Sequence, residues 1–573
     1  MAEMQPSSGS TTSKGGVAAP GISSPPARDS VTLYHWLVVL LASAGWLFDC
    51  TGQRIFVLSR EPALRELLGA GATDDAVRTW GVTATFLLMI GWATGGIVFG
   101  MLSDRYGRVK AMVSTLLAYS VFSGLSGFAH SGIEFLVWRF LFGLGVGGMF
   151  GAATTLVAES VPPHFRTAAL GALQALSAFG NMLASALSLG ITPGQENFWG
   201  HYSGWQVLAF LSVVPAVMAV PMLLVLKEPE PWRKAKLEAA TGGKARPVGS
   251  LADLFQNPRW LKNLSVGVCL GVSGMVGLWG IAFFSPELIT TALKNQPLRV
   301  AEILQPSDLV KSLNRAETPA LALIKHQLPA NLVTELQAAE SARSTPAPVL
   351  AELAHAFNEL MAGPSLYDSA AFPLASLKRS TRNLVQLVEK NGKRQNISFL
   401  NRQLIEHTFP GMLQEQQQTI DKMRSRGTLL QDVGSLLGMV GFTFVAARFS
   451  RRGAFLGAFL LCFVVVAFVF SSLRTATDVY WMLPLMGFAT LSVFAGYSIY
   501  FPELFPTRLR GTGVGFCYNT VRYLAAPFPL LLGWLSTLLP FRTVAMLMCG
   551  IYFIGVAALI WAPETKGQPL PED

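Results

Sequence analysis

Three charged side chains stand deep inside apolar stretches of the sequence: Asp49, Arg139 and Arg522. A charge at the centre of a bilayer costs roughly 2.5–3.5 kcal/mol on insertion scales, so each asks for a function or a partner. Asp49 lies sixteen residues into the run that starts at Leu33, and Gln53 follows one helical turn later on the same face. A carboxylate stripped of water favours its protonated form, which makes Asp49 the candidate proton carrier. A structural partnership with Arg54 or Arg139 is the alternative. Arg522 stands ten residues into the run that starts at Thr512, with Tyr518 and Asn519 four and three residues before it. A guanidinium stays charged and offers a fork matched to carboxylate or phosphate, so Arg522 is the candidate partner of an anionic substrate. A fixed counter-ion inside its own segment is the competing role.

Neutral polar residues repeat the theme. Gln174, Ser177, Asn181 and Ser185 are spaced three, four and four, which puts them on one helical face. That face could line a cavity and hydrogen-bond a substrate, or it could join helices. Trp279 could wall a bound ring or simply pack. Arg139, Gly143, Gly147 and Gly151 recur every four residues, and the glycines read as a close helix–helix contact.

The elements that must position these groups are membrane helices. Of 573 residues, 51% are hydrophobic and 14% charged, against about 25% charged in soluble proteins. Apolar runs sit near 33–58, 81–102, 111–129, 133–157, 167–191, 204–226, 262–284, 430–447, 453–472, 479–501, 512–538 and 541–561. Each approaches the roughly 20 residues needed to cross a bilayer. The net charge of +10 comes from bases at the ends of these runs, so it points to membrane orientation and not to nucleic acid. Arg105, Arg108, Lys110, Arg166, Lys227, Arg451, Arg508 and Arg510 all fall on one side, which is expected to be cytoplasmic together with both termini. The five cysteines lie in apolar runs without CxxC spacing, no H-E-x-x-H occurs, and no phosphate-binding GxxxxGK[ST] is present. Neither a metal, a cofactor nor an enzyme activity is expected.

The sequence also repeats itself. Glu159-Ser-Val-Pro162-Pro-His-Phe165-Arg166 matches Glu503-Leu-Phe-Pro506-Thr-Arg-Leu509-Arg510, and Asp104 and Ala447 precede the two glutamates by similar distances. Glu228-Pro229-Glu230 after the sixth run matches Ala562-Pro563-Glu564 after the twelfth. Two six-helix halves in parallel repeat are therefore expected. The divisions read as a disordered tail (1–30), a first half (31–227), a basic linker (228–260), a seventh helix (261–290), an extracytoplasmic helical insertion (291–427) and the rest of the second half (428–573). Within the insertion, helical spacing is visible at 347–361, 380–391 and 397–408, and Asn396-Ile-Ser is a glycosylation sequon.

Gly100-Met-Leu-Ser-Asp104-Arg105-Tyr-Gly107-Arg108, a charged turn between two runs, resembles the G-x-x-x-D-R-x-G-R loop of the major facilitator superfamily. Gly45-Trp46-Leu-Phe48-Asp49 is similar to the first-helix G-W-x-F-D of its proton-coupled organic-acid carriers, although the second acid often found three residues on is Gly52 here. Pro563-Glu564-Thr565-Lys566-Gly567 resembles the ending of its sugar porters. The resemblance implies an all-α membrane protein of about twelve helices in two pseudo-symmetric halves. It also implies a role for Arg139 in proton transfer, and an encounter between Asp104 and the N-terminal end of the eleventh helix. Arg105, Arg108, Glu159, Arg166, Glu503 and Arg510 would join Asp104 in a cytoplasmic latch. The expected function is a monomeric, plasma-membrane proton symporter of a small organic acid or sugar, with Gln53, Gln174, Asn181, Trp279, Tyr518, Asn519 and Arg522 contacting substrate. An exporter or exchanger of the same fold is the alternative, and a receptor sensing ligand through 291–427 a further one.

Overall fold

The computed structural model describes residues 30–69, 74–191, 193–194, 201–241, 248–294, 329–342, 352, 412–528, 531, 535 and 538–572. Their regular structure is helical, as lipid demands of a chain that must satisfy its own backbone hydrogen bonds. The first half comprises α1 (Leu33–Leu67), α2 (Asp74–Tyr106), α3 (Arg108–Leu125), α4 (Gly132–Ser160), α5 (Pro163–Ser188) and α6 (Gly204–Val225). The second comprises α7 (Pro258–Ile281), α8 (Met412–Arg448), α9 (Arg451–Ser472), α10 (Ala476–Leu504), α11 (Arg510–Asn519, resumed at Val521–Ala525) and α12 (Phe541–Ala558). Eleven of these are long and apolar enough to cross a membrane. The remainder of the expected 512–538 run, beyond Phe528 in α11, lies mostly outside the described residues. Apolar side chains such as Leu224, 81% exposed, face outward from the bundle where acyl chains would cover them. The chain is an integral membrane protein.

One residue separates α2 from α3. Gly107 takes φ +124°, which side chains disfavour, and a Cβ there would collide with the Glu228 carboxylate. That carboxylate instead caps α3, accepting from the backbone N–H of Arg108 at 2.6 Å and Val109 at 3.1 Å. Glu564 caps α9 in the same manner, accepting from Arg451 N at 3.0 Å and Arg452 N at 3.2 Å. The capping pair is thus Glu228 and Glu564, two residues out of step with the proline-based alignment. Within each half the central helices touch backbone to backbone. A Cβ on Gly143 or Gly147 of α4 would strike the Leu88 or Trp92 carbonyl of α2, and one on Gly434 or Gly438 of α8 would strike Pro484 or Phe488 of α10.

Two elements differ from the sequence reading. α8 begins at Met412 and not near 430, about five turns earlier, because its Gln-, Lys- and Arg-rich start is polar yet favours helix. The linker, read as broken by Gly and Pro, contains helices Glu230–Thr241 and Leu251–Gln256. Of the insertion, 291–294, 329–342, 352 and 412–427 are described, with a helix at Ala330–Ala342 and the last stretch forming the start of α8. The expected helices at 347–361, 380–391 and 397–408, the Asn396 sequon and the 1–29 tail lie outside the described residues, Glu352 excepted.

Candidate functional site

A cavity of about 1370 Å³ lies between the halves. Its wall includes Glu61, Pro62 and Glu66 at the end of α1, Ser203, and Arg424 on the polar part of α8, so it opens on the side opposite the Gly107 turn. Its floor is aromatic: Trp46, Trp92, Trp279, Phe494 and Tyr518. Tyr518 stacks on Phe150 at 3.6 Å, and Trp279 meets Trp92 edge-on at 6.0 Å. Trp279 sits where α7 loosens into a π-segment, Gly277–Ile281, a distortion that is frequent at functional sites.

Arg522 reaches this floor from α11. Its guanidinium lies 3.8 Å above the Trp92 ring and 4.5 Å from that of Tyr518, both cation–π distances. Nη1 donates to the Tyr518 carbonyl at 2.6 Å and to Asn519 Oδ1 at 2.9 Å, while Nε has no partner. Asn519 is outside the cavity wall. It is buried beneath Arg522 and orients it, its own Nδ2 donating to the Gly515 carbonyl at 2.8 Å. Gln53, Gln174 and Asn181 line the cavity as their spacing suggests, and the buried Gln174 Oε1 is unpartnered. Asp49 is fully buried behind Gln53, whose Nε2 donates to its Oδ2 at 3.1 Å, leaving Oδ1 unpartnered.

Arg139 lies apart. It donates to Ser126 Oγ and sits among the rings of Phe135 (4.8 Å), Phe56 (5.1 Å) and Phe142 (5.5 Å), away from the cavity wall. One pair went unrecognised in the sequence: Arg54 on α1 and Asp432 on α8, 3.8 Å apart on the cavity wall. The apolar run begins near 430, so Asp432 falls at its very start and nothing in the spacing marks it.

The opposite end is closed by a buried polar network. Asp104 lies against the start of α11, accepting from Gly511 N at 2.9 Å, Thr512 N at 2.7 Å and Thr512 Oγ1 at 2.6 Å. Arg108 pairs with Asp104 at 2.6 Å and with Glu159 at 3.0 Å, and donates to the Thr507 carbonyl of the other half at 2.8 Å. Arg510 completes the crossing by pairing with Glu159 at 2.5 Å. Arg451, absent from the expected set, repeats the Arg108 pattern. It pairs with Glu503 at 3.0 Å, donates to the Ala446 carbonyl as Arg108 does to that of Ser103, and reaches across to Thr167 Oγ1 at 2.7 Å. Arg166 donates to the Ala158 carbonyl at 2.9 Å, as Arg510 does to that of Pro502 at 3.0 Å. Arg105 is exposed. The linker lies over the network, with Trp232 Nε1 donating to the Asp104 carbonyl at 2.7 Å and Asp253 pairing with Arg508 at 2.5 Å. Beneath it α2 and α11 touch through Gly96, Gly100, Gly511 and Gly515; a Cβ on Gly515 would strike the Gly96 carbonyl.

Known proteins resemble the chain in sequence and in fold. A family model described as Major Facilitator Superfamily matches residues 41–296. The cis,cis-muconate transport protein of Acinetobacter baylyi is 34% identical over 179 residues, 31% of this chain and 41% of that protein. The putative niacin/nicotinamide transporter NiaP of Bacillus subtilis is 37% identical over 180 residues, again 31% and 41%. The chain thus matches less than half the length of either relative. The proton:xylose symporter XylE bound to 6-bromo-6-deoxy-D-glucose superposes over 94% of this chain and 98% of its own, with TM-score 0.53 at 16% identity, a likeness of fold. Residues 41–296 thus match the Major Facilitator Superfamily model, and the two-half helical fold is that of XylE.

Proposed function

We propose that the protein is a secondary carrier moving a small, planar organic anion together with a proton by alternating access. The observation that carries this reading is Arg522, a buried cation at the floor of an aromatic cavity with no carboxylate among the described residues hydrogen-bonded to it. An anion arriving there gains a charge-assisted hydrogen bond, and the tryptophans offer faces to a conjugated skeleton. Muconate and niacin, named for the two relatives, are both conjugated carboxylates, which favours organic acids over sugars.

Asp49 carries the proton in this scheme. Protonated, it removes one negative charge from a crowded interior as the substrate brings one in, so the loaded carrier can reorient without a net buried charge. Asp104, Arg108, Glu159, Arg510, Arg451 and Glu503, with Arg166 beside them, hold the cytoplasmic side shut in the outward-open state and part in the inward-open one. Both termini are cytoplasmic and the plasma membrane is the site of action. Proteoliposomes with an imposed inward proton gradient test this against nicotinate, benzoate and xylose. The acids should accumulate and xylose should not. Asp49→Asn should abolish gradient-driven accumulation while keeping counterflow exchange; equal accumulation by this variant contradicts the coupling role.

A further inference from the structure

The deep part of the cavity contains a second arginine that is poorly satisfied. Arg54 Nη2 and Asp432 Oδ2 are 3.8 Å apart, beyond hydrogen-bonding distance, although the side chains are only 22% and 11% exposed. Among the described residues, Arg54 Nε and Asp432 Oδ2 have no hydrogen-bond partner. A buried ion pair without hydrogen bonds recovers little of its desolvation cost, so this contact between α1 and α8 is a weak link across the two halves. It is held in place even so: the adjacent Gln431 accepts from Ser285 Oγ at 2.9 Å, which fixes the turn of α8 that presents Asp432. The charged groups nearer the mouth are engaged among themselves or with neighbours. Arg60 donates to Thr85 at 2.5 Å, Arg65 pairs with Glu61 at 2.8 Å, and Glu66 accepts from Ser203 and Trp205.

We propose that Arg54 is a second anion contact and that Asp432 occupies it when substrate is absent, so that the cavity prefers small dicarboxylates. One carboxylate sits on Arg522. The other displaces Asp432 from Arg54, replacing a loose link between the halves by hydrogen-bonded contacts through the substrate. The freed Asp432 takes a second proton, so that the loaded carrier still buries no net charge. The inference rests on the anion role of Arg522 and extends it to a second charge.

Calorimetric titration of the purified full-length protein with benzoate and with terephthalate, the same ring carrying a second carboxylate, tests it. The wild type should bind terephthalate roughly tenfold more tightly, the scale of one charge-assisted hydrogen-bonded contact. Arg54→Gln should collapse the ratio of the two affinities toward one, with Arg54→Lys restoring part of it in a protein that is demonstrably folded. Asp432→Asn, which removes the internal competitor, should raise the ratio several-fold above wild type. A ratio near one in the wild type, a ratio untouched by Arg54→Gln, or one lowered by Asp432→Asn overturns the proposal. Loss of the underlying reading would look different: Arg522→Gln would then bind benzoate as well as the wild type does.

Discussion

Glu159 bonds to both halves at once, taking Arg108 from its own and Arg510 from the other while fully buried between them. Glu159→Gln keeps the shape and removes the charge, leaving two arginines facing each other without water. Breaking a buried pair in this way costs about 3–5 kcal/mol. The variant should melt well below wild type in detergent, whereas a substitution of the exposed Arg105 should leave the melting temperature within about a degree. A second effect at this scale belongs to Glu564. Burial works against its charge, but hydrogen bonds from Ser450 Oγ and from the backbone N–H of Lys566, Arg451 and Arg452 hold its carboxyl below the ordinary glutamate range. A depressed folded value means that the stabilisation is fully present above the unfolded value, about 4.3, and is lost as pH falls through the folded one. The melting-temperature gap between wild type and Glu564→Gln should therefore hold steady from pH 8 to 5.5 and close on further acidification. Asp104, Arg108, Glu159 and Arg510 were legible because motif and repeat spacing mark them. Arg451 was not, because its local sequence lacks an aspartate, and its kinship with Arg108 shows only in the bonds it makes.

Among the elements, α2 and α11 form the closest approach between the halves, through glycines that leave no room for side chains. A large residue in that contact must hold the halves apart at the end where the Gly107 turn lies. Gly515→Leu should therefore favour the inward-open form. In a variant retaining only Cys50, which lines the cavity, a membrane-impermeant thiol reagent added from the side on which the cavity opens should label slowly compared with the parent. Labelling at the parental rate would mean that this crossing does not govern closure. The long apolar helices were readable from their runs, the two polar linker helices were not, and ends were readable where a glycine or proline marks them, as at Gly107. The start of α8 was not. Polar helix-formers carry no apolar period, so a helix that leaves the membrane looks like loop, and Asp432 was hidden with it. The glycine stripe on α4 identified a close contact, though nothing in the sequence said that α2 was the partner.

For the molecule as a whole, the repeat implies two six-helix halves, and the bonds of Arg108 and Arg451, Glu159 and Glu503, and Glu228 and Glu564 are equivalent between them. The repeat also shows an imbalance, because its second copy has no acid matching Asp104. Asp104 holds the start of α11, whereas its counterpart Ala447 has no side chain to hold α5, so closure is anchored mainly by the first half gripping the second. The central claim is that this grip keeps the cytoplasmic side shut around an outward-open cavity and releases during transport. Spin labels on the exposed Lys110 and Arg452, at the starts of α3 and α9 beside this network, report it as a distance by pulsed electron resonance. The account predicts a single short distance for the empty wild-type carrier and a second, longer population on replacing Asp104 by Asn. A distance distribution identical in the two proteins would contradict it.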